Sequence, residues 1–400
     1  MIAAASPAAT EVASVDAALA LYAQADVPVS AHINLTYRCD LDCQHCYLDN
    51  RTTYPEMTGA EWRAVLDQLA AMGTLLLTWS GGDVSQRADF EELLAYATAK
   101  GFANRIKTHA GNVDAAVAAR YAEQMVTRVD VSVYSLRPEI HDAFTRHPGS
   151  LARTLTGIQC LRAVGVPVQA SVVVQDQTVE EIPAIFDRFV ALGCTVRFGL
   201  DISRDNAGNE GLDSLNLAVD RRIRAEQLIA LTRTVPPPTA QVKDRLSQGP
   251  CGAGRRLVYI APDGGVWPCV VFPMELGNLR QQALADIWSG SPARLALRDW
   301  TNRERTACHS CGGSGACFYC PGEAFKNTGD YRKPPGHFHT RTRLRMLGYE
   351  AAHGPTWAPE QWASVPAGSE RPPRPERFVF PIYRPRKGQG ARVLAAPSKP

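Results

Sequence analysis

The distribution of cysteine constrains this chain more than any other feature of its sequence. Nine of the 11 cysteines fall into two groups, one between residues 39 and 46 and the other between residues 251 and 320. Thiols inside cells are kept reduced, so cysteines in an intracellular chain favour metal ligation over disulfide formation. We therefore expect two metal-binding segments. The remaining Cys160 and Cys194 stand alone, and we assign them no function.

Composition and charge narrow the classes of function. The opening residues lack a basic segment and carry Glu11 and Asp16 in their most apolar stretch, unlike a secretion signal. No window approaches the roughly 18 uninterrupted apolar residues of a membrane helix, so we expect a cytoplasmic protein with no membrane partner. The net charge is +3, but residues 371–400 alone carry +7. The rest of the chain has no basic excess that would favour nucleic-acid binding.

Short β-rich runs alternate with amphipathic stretches between residues 30 and 205. The predicted strands are 32–37, 75–80, 105–110, 129–134, 168–174 and 195–200. The predicted helices between them are 58–72, 88–100, 113–125, 150–164 and 179–192. This alternation predicts an α/β fold with a parallel sheet, and six units suit a partial (β/α)6 barrel better than a closed barrel of eight. In such barrels the chemistry lies at the carboxyl ends of the strands.

The pattern divides the chain into five segments. An N-terminal extension (1–29) precedes the partial barrel (30–205), and a connector (206–250) contains a predicted helix near 216–234. Residues 251–340 are dense in Gly, Pro and Cys, which is typical of a small fold stapled by metal. Residues 341–400 form a Pro/Arg-rich tail. From residue 354 onward we expect it to be disordered or to lie over the surface.

The first cysteine group has the spacing C-x3-C-x2-C on the loop that leaves the first predicted strand. Cys39, Cys43 and Cys46 can each bind one iron of a [4Fe-4S] cluster, which leaves the fourth iron open for a small molecule. A zinc site that uses His45 as a fourth ligand is the alternative, although zinc sites usually combine two separated cysteine pairs.

This spacing, with an aromatic residue directly after the third cysteine, resembles the radical S-adenosylmethionine (SAM) enzymes. The resemblance implies that the open iron binds SAM and that the three cysteines are catalytic, since an electron from the cluster cleaves SAM to a 5'-deoxyadenosyl radical. It also implies contacts to SAM from Tyr47, Gly81, Gly82, Asp83, Ser132 and Arg153. Asp83 replaces the usual Glu, and Tyr134-Ser135 replaces a usual Asp-Gly. A simple turn at the glycines, and sheet or surface positions for Ser132 and Arg153, are the alternatives.

The second cysteine group resembles the SPASM extension of radical SAM enzymes, which binds auxiliary iron-sulfur clusters. The resemblance assigns one cluster, nearer the barrel, to Cys251, Cys269 and Cys320. It assigns an outer cluster to Cys308, Cys311 and Cys317. Two complete auxiliary [4Fe-4S] clusters need eight ligands, so six cysteines support one or two clusters with a missing ligand. His337 stands where relatives carry a further cysteine and is our candidate for that ligand. A single structural zinc is the alternative.

The resemblance implies modification of a peptide or protein by hydrogen abstraction: a crosslink, a thioether, an epimerisation or an oxidation, within peptide natural product maturation. Formylglycine formation is disfavoured because Val270 stands where that subgroup carries an acid. About 28 residues precede the barrel, too few for a domain that reads a precursor peptide, so we expect recognition by the barrel mouth, the tail or a separate protein. An electron donor such as flavodoxin or ferredoxin is implied. The alternatives are a small metabolite or tetrapyrrole substrate and a catalytically inert iron-sulfur or zinc scaffold.

Overall fold

The computed structural model describes residue 22 and residues 25–48, 55–232 and 242–369. The basic tail segment 371–400 therefore lies outside the described residues. Among the described residues, nine strands form a single sheet in the order β6-β5-β4-β3-β2-β1-β7-β8-β9. The strands are β1 (Ser30–Asn34), β2 (Leu76–Ser80), β3 (Ala103–Thr108), β4 (Arg128–Val133), β5 (Val168–Val173), β6 (Thr195–Gly199), β7 (Leu257–Ile260), β8 (Gly265–Trp267) and β9 (Gly277–Asn278).

Strands β1 to β6 are parallel neighbours, each separated from the next by helices, as in the predicted partial barrel. The helices among them are α1 (Gly59–Ala71), α2 (Phe90–Ala99), α3 (Ala115–Glu123), α4 (Pro138–Thr145), α5 (Ser150–Ala163) and α6 (Ile182–Ala191). Five of the six were predicted, and α4 was not. The α/β fold class with a six-stranded parallel sheet is confirmed.

The C-terminal half extends this sheet instead of forming a separate layer. Strand β7 pairs in parallel with β1, and β8 and β9 continue the sheet in antiparallel pairing. Its helices are α7 (Val219–Thr232), α8 (Leu284–Gly290), α9 (Pro292–Asp299), α10 (Pro321–Thr328), α11 (His337–His353) and α12 (Pro359–Ala363). Among the described residues, no helix has the length and apolar character needed to cross a membrane.

The main core lies between the helices and one face of the sheet. Alternate strand residues point into it, including Ile33, Trp79, Ile106, Val131 and Val172, each at most 1% exposed. The helices complete this core with their own apolar stripes. Since strand side chains alternate between the two faces, the remaining strand residues lie on the face without helices.

That second face is polar. Three rows of residues in register cross it: His32, Thr78, Arg105 and Arg128; then Lys107, Asp130, Gln169 and Thr195; then Ser132, Ser171 and Arg197. A polar interior face is what a partial barrel needs if it is to hold a polar ligand rather than a packed core.

Residues 341–369, which the sequence placed in the tail, belong largely to the folded body. Helix α11 continues to His353, and α12 follows it. Met346, Trp357 and Val365 are buried together with Ala316. The alternative of disorder from residue 354 onward is therefore wrong for 354–369, whereas the alternative of a surface position fits, since only Trp357 and Val365 are buried there. Proline content alone suggested disorder, whereas three widely spaced apolar side chains anchor the segment.

Candidate functional site

The first cysteine group lies on the loop that follows β1. Cys39, Cys43 and Cys46 are half-buried thiols. Two backbone N–H groups of the loop, those of Asp42 and Gln44, donate to the carbonyls at the end of α4, at 3.1 and 3.0 Å. The unpredicted helix α4 therefore holds the cysteine loop in place.

Hydrogen-bond donors lie next to two of the thiols, and two of the thiols line a cavity. The Tyr134 hydroxyl donates to Cys43 Sγ at 3.7 Å, and the Leu41 N–H lies 3.4 Å from Cys39 Sγ. Cys43 and Cys46 line a cavity of about 540 Å³, whose opposite wall is formed by residues between 205 and 215. Three thiols on one short loop beside such a cavity suit a [4Fe-4S] cluster with an open iron. His45, the alternative zinc ligand, packs its ring 5.0 to 5.2 Å from two aromatic rings.

The glycine pair after β2 lies directly against the cysteine loop. The Gly82 N–H donates to the Thr36 carbonyl at 2.8 Å, and the Asp83 N–H donates to the Arg38 carbonyl at 2.9 Å. A Cβ at Gly82 would stand 2.1 Å from the Arg38 oxygen, and one at Gly81 would stand 2.5 Å from the Thr36 oxygen. Both glycines are thus required by close backbone approach, which a simple turn would not demand.

The Asp83 carboxylate is bound by the protein itself. It is 1% exposed and accepts hydrogen bonds from the Ser85 N–H at 3.0 Å, the Thr108 hydroxyl at 2.6 Å and the His109 N–H at 3.1 Å. Asp83 therefore ties the end of β2 to the end of β3. Its carboxylate acts as a structural link beneath the cysteine loop.

His109, which follows β3, was not singled out in the sequence. Its Nε2 lies 2.8 Å from Asp40 Oδ1, and a thiol, a carboxylate oxygen and a ring nitrogen of Cys39, Asp40 and His109 lie within 4.8 Å of one another. The hydrogen bond from His109 holds the pKa of Asp40 well below its usual range, although burial opposes the shift. The position of His109 at the carboxyl end of a predicted barrel strand is the sequence feature that could have identified it as a site residue.

The other predicted SAM contacts divide between the loop and the sheet. The Tyr47 hydroxyl contacts the Asn34 side chain at 3.0 Å and the Gly81 carbonyl at 3.3 Å, and burial raises its pKa to about 12. Arg153 lies on α5 with Nη1 3.6 Å from Asp40 Oδ2. Ser132 lies on the polar face of β4, in register with a serine of β5. Tyr47 and Arg153 thus lie beside the cysteine loop, whereas Ser132 lies within the barrel.

The six C-terminal cysteines influence one another's ionisation in two sets. Burial, the Glu323 carboxylate and the thiols of Cys269 and Cys251 together raise the pKa of Cys320 to about 12. Burial raises the pKa of Cys317, and the thiols of Cys308 and Cys311 add to the increase. Within each set that the resemblance assigns, thiols therefore influence one another, and the assignment of the two sets to separate clusters stays a prediction.

His337 lies at the start of α11, buried beside Glu323. Its Nε2 is 3.4 Å from Glu323 Oε1, and the Glu323 N–H lies 3.4 Å from Cys320 Sγ. These contacts place His337 on the side of Cys320, which belongs to the inner set of cysteines. Ligation of the outer cluster by His337 stays a prediction.

A chain of partly buried charges joins the two halves of the molecule. The Arg341 guanidinium lies 2.6 Å from the Glu323 carboxylate and 2.8 Å from Asp201, which follows β6. Asp201 is also paired with Arg222 of α7 at 2.8 Å. The barrel end and the cysteine-rich region are therefore held in a fixed relation by charge-assisted hydrogen bonds.

Two family models match the chain in the order that the cysteine groups predict. The Radical SAM superfamily matches residues 33–189, which include the first cysteine group. An iron-sulfur cluster-binding domain of the SPASM type matches residues 251–312. Together these domains imply [4Fe-4S] clusters and binding of SAM.

Curated relatives cover most of the chain at low identity. An AdoMet-dependent heme synthase of Methanosarcina barkeri is 27% identical over 324 residues, which are 74% of this chain and 92% of the relative. A PqqA peptide cyclase of Granulibacter bethesdensis is 27% identical over 332 residues, covering 76% of this chain and 85% of the relative.

Solved structures share the fold. SuiB of Streptococcus suis bound to S-adenosylmethionine aligns with a TM-score of 0.59 and 18% identity, over 77% of this chain and 76% of SuiB. SuiB bound to its precursor peptide SuiA aligns with a TM-score of 0.54 and 16% identity, over 78% of this chain and 77% of SuiB. With the two matched domains and the cysteine loop at the carboxyl edge of the sheet, the chain is a radical SAM enzyme with a C-terminal SPASM domain.

Proposed function

We propose that this enzyme cleaves SAM reductively and modifies a peptide or protein by hydrogen abstraction, within the maturation of a peptide natural product. The observation that carries the proposal is the loop of Cys39, Cys43 and Cys46, which lies beside a cavity at the carboxyl edge of a polar-faced partial barrel. A [4Fe-4S] cluster held by these three cysteines would bind SAM and, once reduced, would supply the 5'-deoxyadenosyl radical.

The residues around the loop have separate roles in this proposal. Cys39, Cys43 and Cys46 hold the cluster. The close approach of Gly81 and Gly82 to the loop leaves backbone polar groups, rather than side chains, to face SAM. Arg153 supplies a cation beside the loop for the SAM carboxylate, and Tyr47 and Ser132 border the adenosyl part.

In this proposal the C-terminal cysteines hold auxiliary clusters, and these clusters accept an electron. Cys251, Cys269 and Cys320 hold an inner cluster, and Cys308, Cys311 and Cys317 hold an outer one with His337 as a further ligand. Lys107 on the polar face of β3 contributes to the electrostatic environment of Cys269, so the inner set lies within reach of the barrel interior. An acceptor there can take the electron left on a substrate after hydrogen abstraction.

The peptide substrate is supported by the relatives: PqqA peptide cyclases are among them, and SuiB with a bound precursor peptide shares the fold. A small metabolite or tetrapyrrole substrate is the second candidate, favoured by the AdoMet-dependent heme synthase relative. A flavodoxin or ferredoxin as electron donor, a separate precursor-recognition protein and a cytoplasmic location complete the proposal.

The test uses reconstituted holoenzyme, SAM and dithionite under anaerobic conditions, with short peptides encoded beside its gene. We expect 5'-deoxyadenosine together with a peptide that has lost two hydrogen atoms or has exchanged hydrogen with solvent. A peptide of unchanged mass and isotope content, alongside turnover of a tetrapyrrole, would replace the peptide proposal with the second candidate. The matched control is enzyme reconstituted without SAM.

A further inference from the structure

Several charged groups on and around the polar face of the barrel act on one lysine. Lys107 lies in the middle row of that face, and the charges of Asp130, Arg105, Arg197 and the Cys269 thiol all act on it. Arg197 is on β6, three strands from β3, and a flat sheet would separate those strands by roughly 14 Å. Lys107 and Arg197 nevertheless lie on the same face of the sheet, and their charges are close enough to interact.

The charges on this face do not balance. Asp130 is paired with both Arg105 and Arg128, the latter at 2.9 Å. No hydrogen bond or ion pair reaches the ammonium of Lys107 or the guanidinium of Arg197 from residues 25–48, 55–232 or 242–369. One carboxylate thus faces four cations, which leaves an excess of about three positive charges within the barrel.

An excess of cations on a partly buried face costs free energy unless an anion offsets it. Burial lowers the pKa of Lys107, and Arg105 and Arg197 lower it further. Neutral residues would fill the same positions on the polar face at lower cost. The arrangement is therefore that of a site for a negatively charged group, and Arg197 is exposed where such a group would enter.

We propose that Lys107 and Arg197 bind a carboxylate of the substrate inside the barrel, and thereby select acidic substrates. The proposal rests on the proposed function, because it deepens the substrate class of the same barrel. The shared chemistry is a carboxylate, which an acidic side chain of a peptide or an acidic side chain of a tetrapyrrole can supply.

Binding of glutarate to the SAM-loaded holoenzyme tests the site without assuming either substrate. By anaerobic calorimetry at low salt, we expect glutarate to bind roughly tenfold or more tightly than neutral glutaramide, because charged hydrogen bonds are lost with the amide. The Lys107→Met and Arg197→Gln variants should each lose this preference, and Lys107→Arg should keep it. Lys100→Met is the matched control, since Lys100 is a surface lysine paired with Asp67.

Iron content and circular dichroism show whether each variant is folded. Equal binding of glutarate and glutaramide by the wild type would overturn the proposal. So would a Lys107→Met variant that is folded, binds glutarate as the wild type does and differs only in the auxiliary cluster potential, because Lys107 would then serve the cluster at Cys269.

A second pair of probes separates this proposal from the proposed function. These are the acetylated, amidated tripeptide Gly-Glu-Gly and a porphyrin with propionate side chains. Tighter binding of the tripeptide than of glutarate, dependent on Lys107, supports both. Lys107-dependent binding of the porphyrin alone supports the carboxylate site and contradicts the peptide substrate.

Discussion

Replacing Gly82 by Ala should damage the SAM site through the backbone alone. The added Cβ would lie 2.1 Å from the Arg38 carbonyl oxygen and 2.8 Å from the Tyr37 oxygen, and ordinary contact begins near 3.4 Å. The glycine turn and the cysteine loop must therefore separate by about 1.3 Å. Such overpacking costs about 1–3 kcal/mol of stability. A displacement of about 1 Å at a reacting centre costs on the order of 100-fold in rate.

The assay is 5'-deoxyadenosine formation by anaerobic holoenzyme with SAM and dithionite, alongside denaturant unfolding. Gly290→Ala is the matched control, because a Cβ at the end of α8 meets no atom within 4 Å. It should keep the wild-type rate and leave stability unchanged or raise it by up to about 1 kcal/mol. A Gly82→Ala enzyme that cleaves SAM at the wild-type rate would refute the close-approach argument.

Three further substitutions test other parts of the site. Tyr134→Phe removes the O–H donor at Cys43 Sγ and should lower the midpoint potential of the SAM cluster in a redox titration followed by electron paramagnetic resonance, with iron content unchanged. Arg341→Met leaves the buried Glu323 carboxylate without its cation, while Asp201 keeps Arg222, and should cost about 3–5 kcal/mol in denaturant unfolding. His337→Ala should make the outer cluster prone to loss, measured as iron and acid-labile sulfide per chain.

Each of these three substitutions has an outcome that would contradict the prediction. Two of them also have a control substitution. Arg224→Met breaks an exposed pair with Glu180 and should cost no more than about 1 kcal/mol. If Arg224→Met costs as much stability as Arg341→Met, the ion pairs of Arg341 are not what joins the barrel to the cysteine-rich region. His339→Ala should leave both clusters intact. An unchanged iron count and spectrum in His337→Ala would return His337 to a structural role beside Glu323. An unchanged potential in Tyr134→Phe would remove the hydroxyl from the cluster's surroundings.

The local sequence pattern was sufficient to predict the strands of the barrel and most of its helices. Period-two alternation and β-branched residues placed β4 within a residue at each end, and the sequence range 129–134 became Arg128–Val133. Helix α4 was missed because it has only eight residues and two apolar anchors, Ile140 and Phe144. A segment that short carries too few turns for helical periodicity to stand out.

Long-range contacts were not readable from the sequence. The pairing of β7 with β1 joins Leu257 to Ser30, across more than 200 residues, and no local pattern specifies it. The same holds for the unpaired charge of Lys107, which depends on charged residues of three different strands. His109 and Tyr134 contact the cysteine loop only because neighbouring strands end at the same edge.

Replacing Cys39, Cys43 and Cys46 together by Ala tests the central claim most directly. The measurement is 5'-deoxyadenosine formed from SAM and dithionite by anaerobically reconstituted wild type and variant, with iron counted in both. The account predicts cleavage by the wild type, none by the variant, and retention of much of the auxiliary iron, because the first cysteine group and the C-terminal cysteines belong to different domains. Cleavage by the variant at the wild-type rate would contradict it.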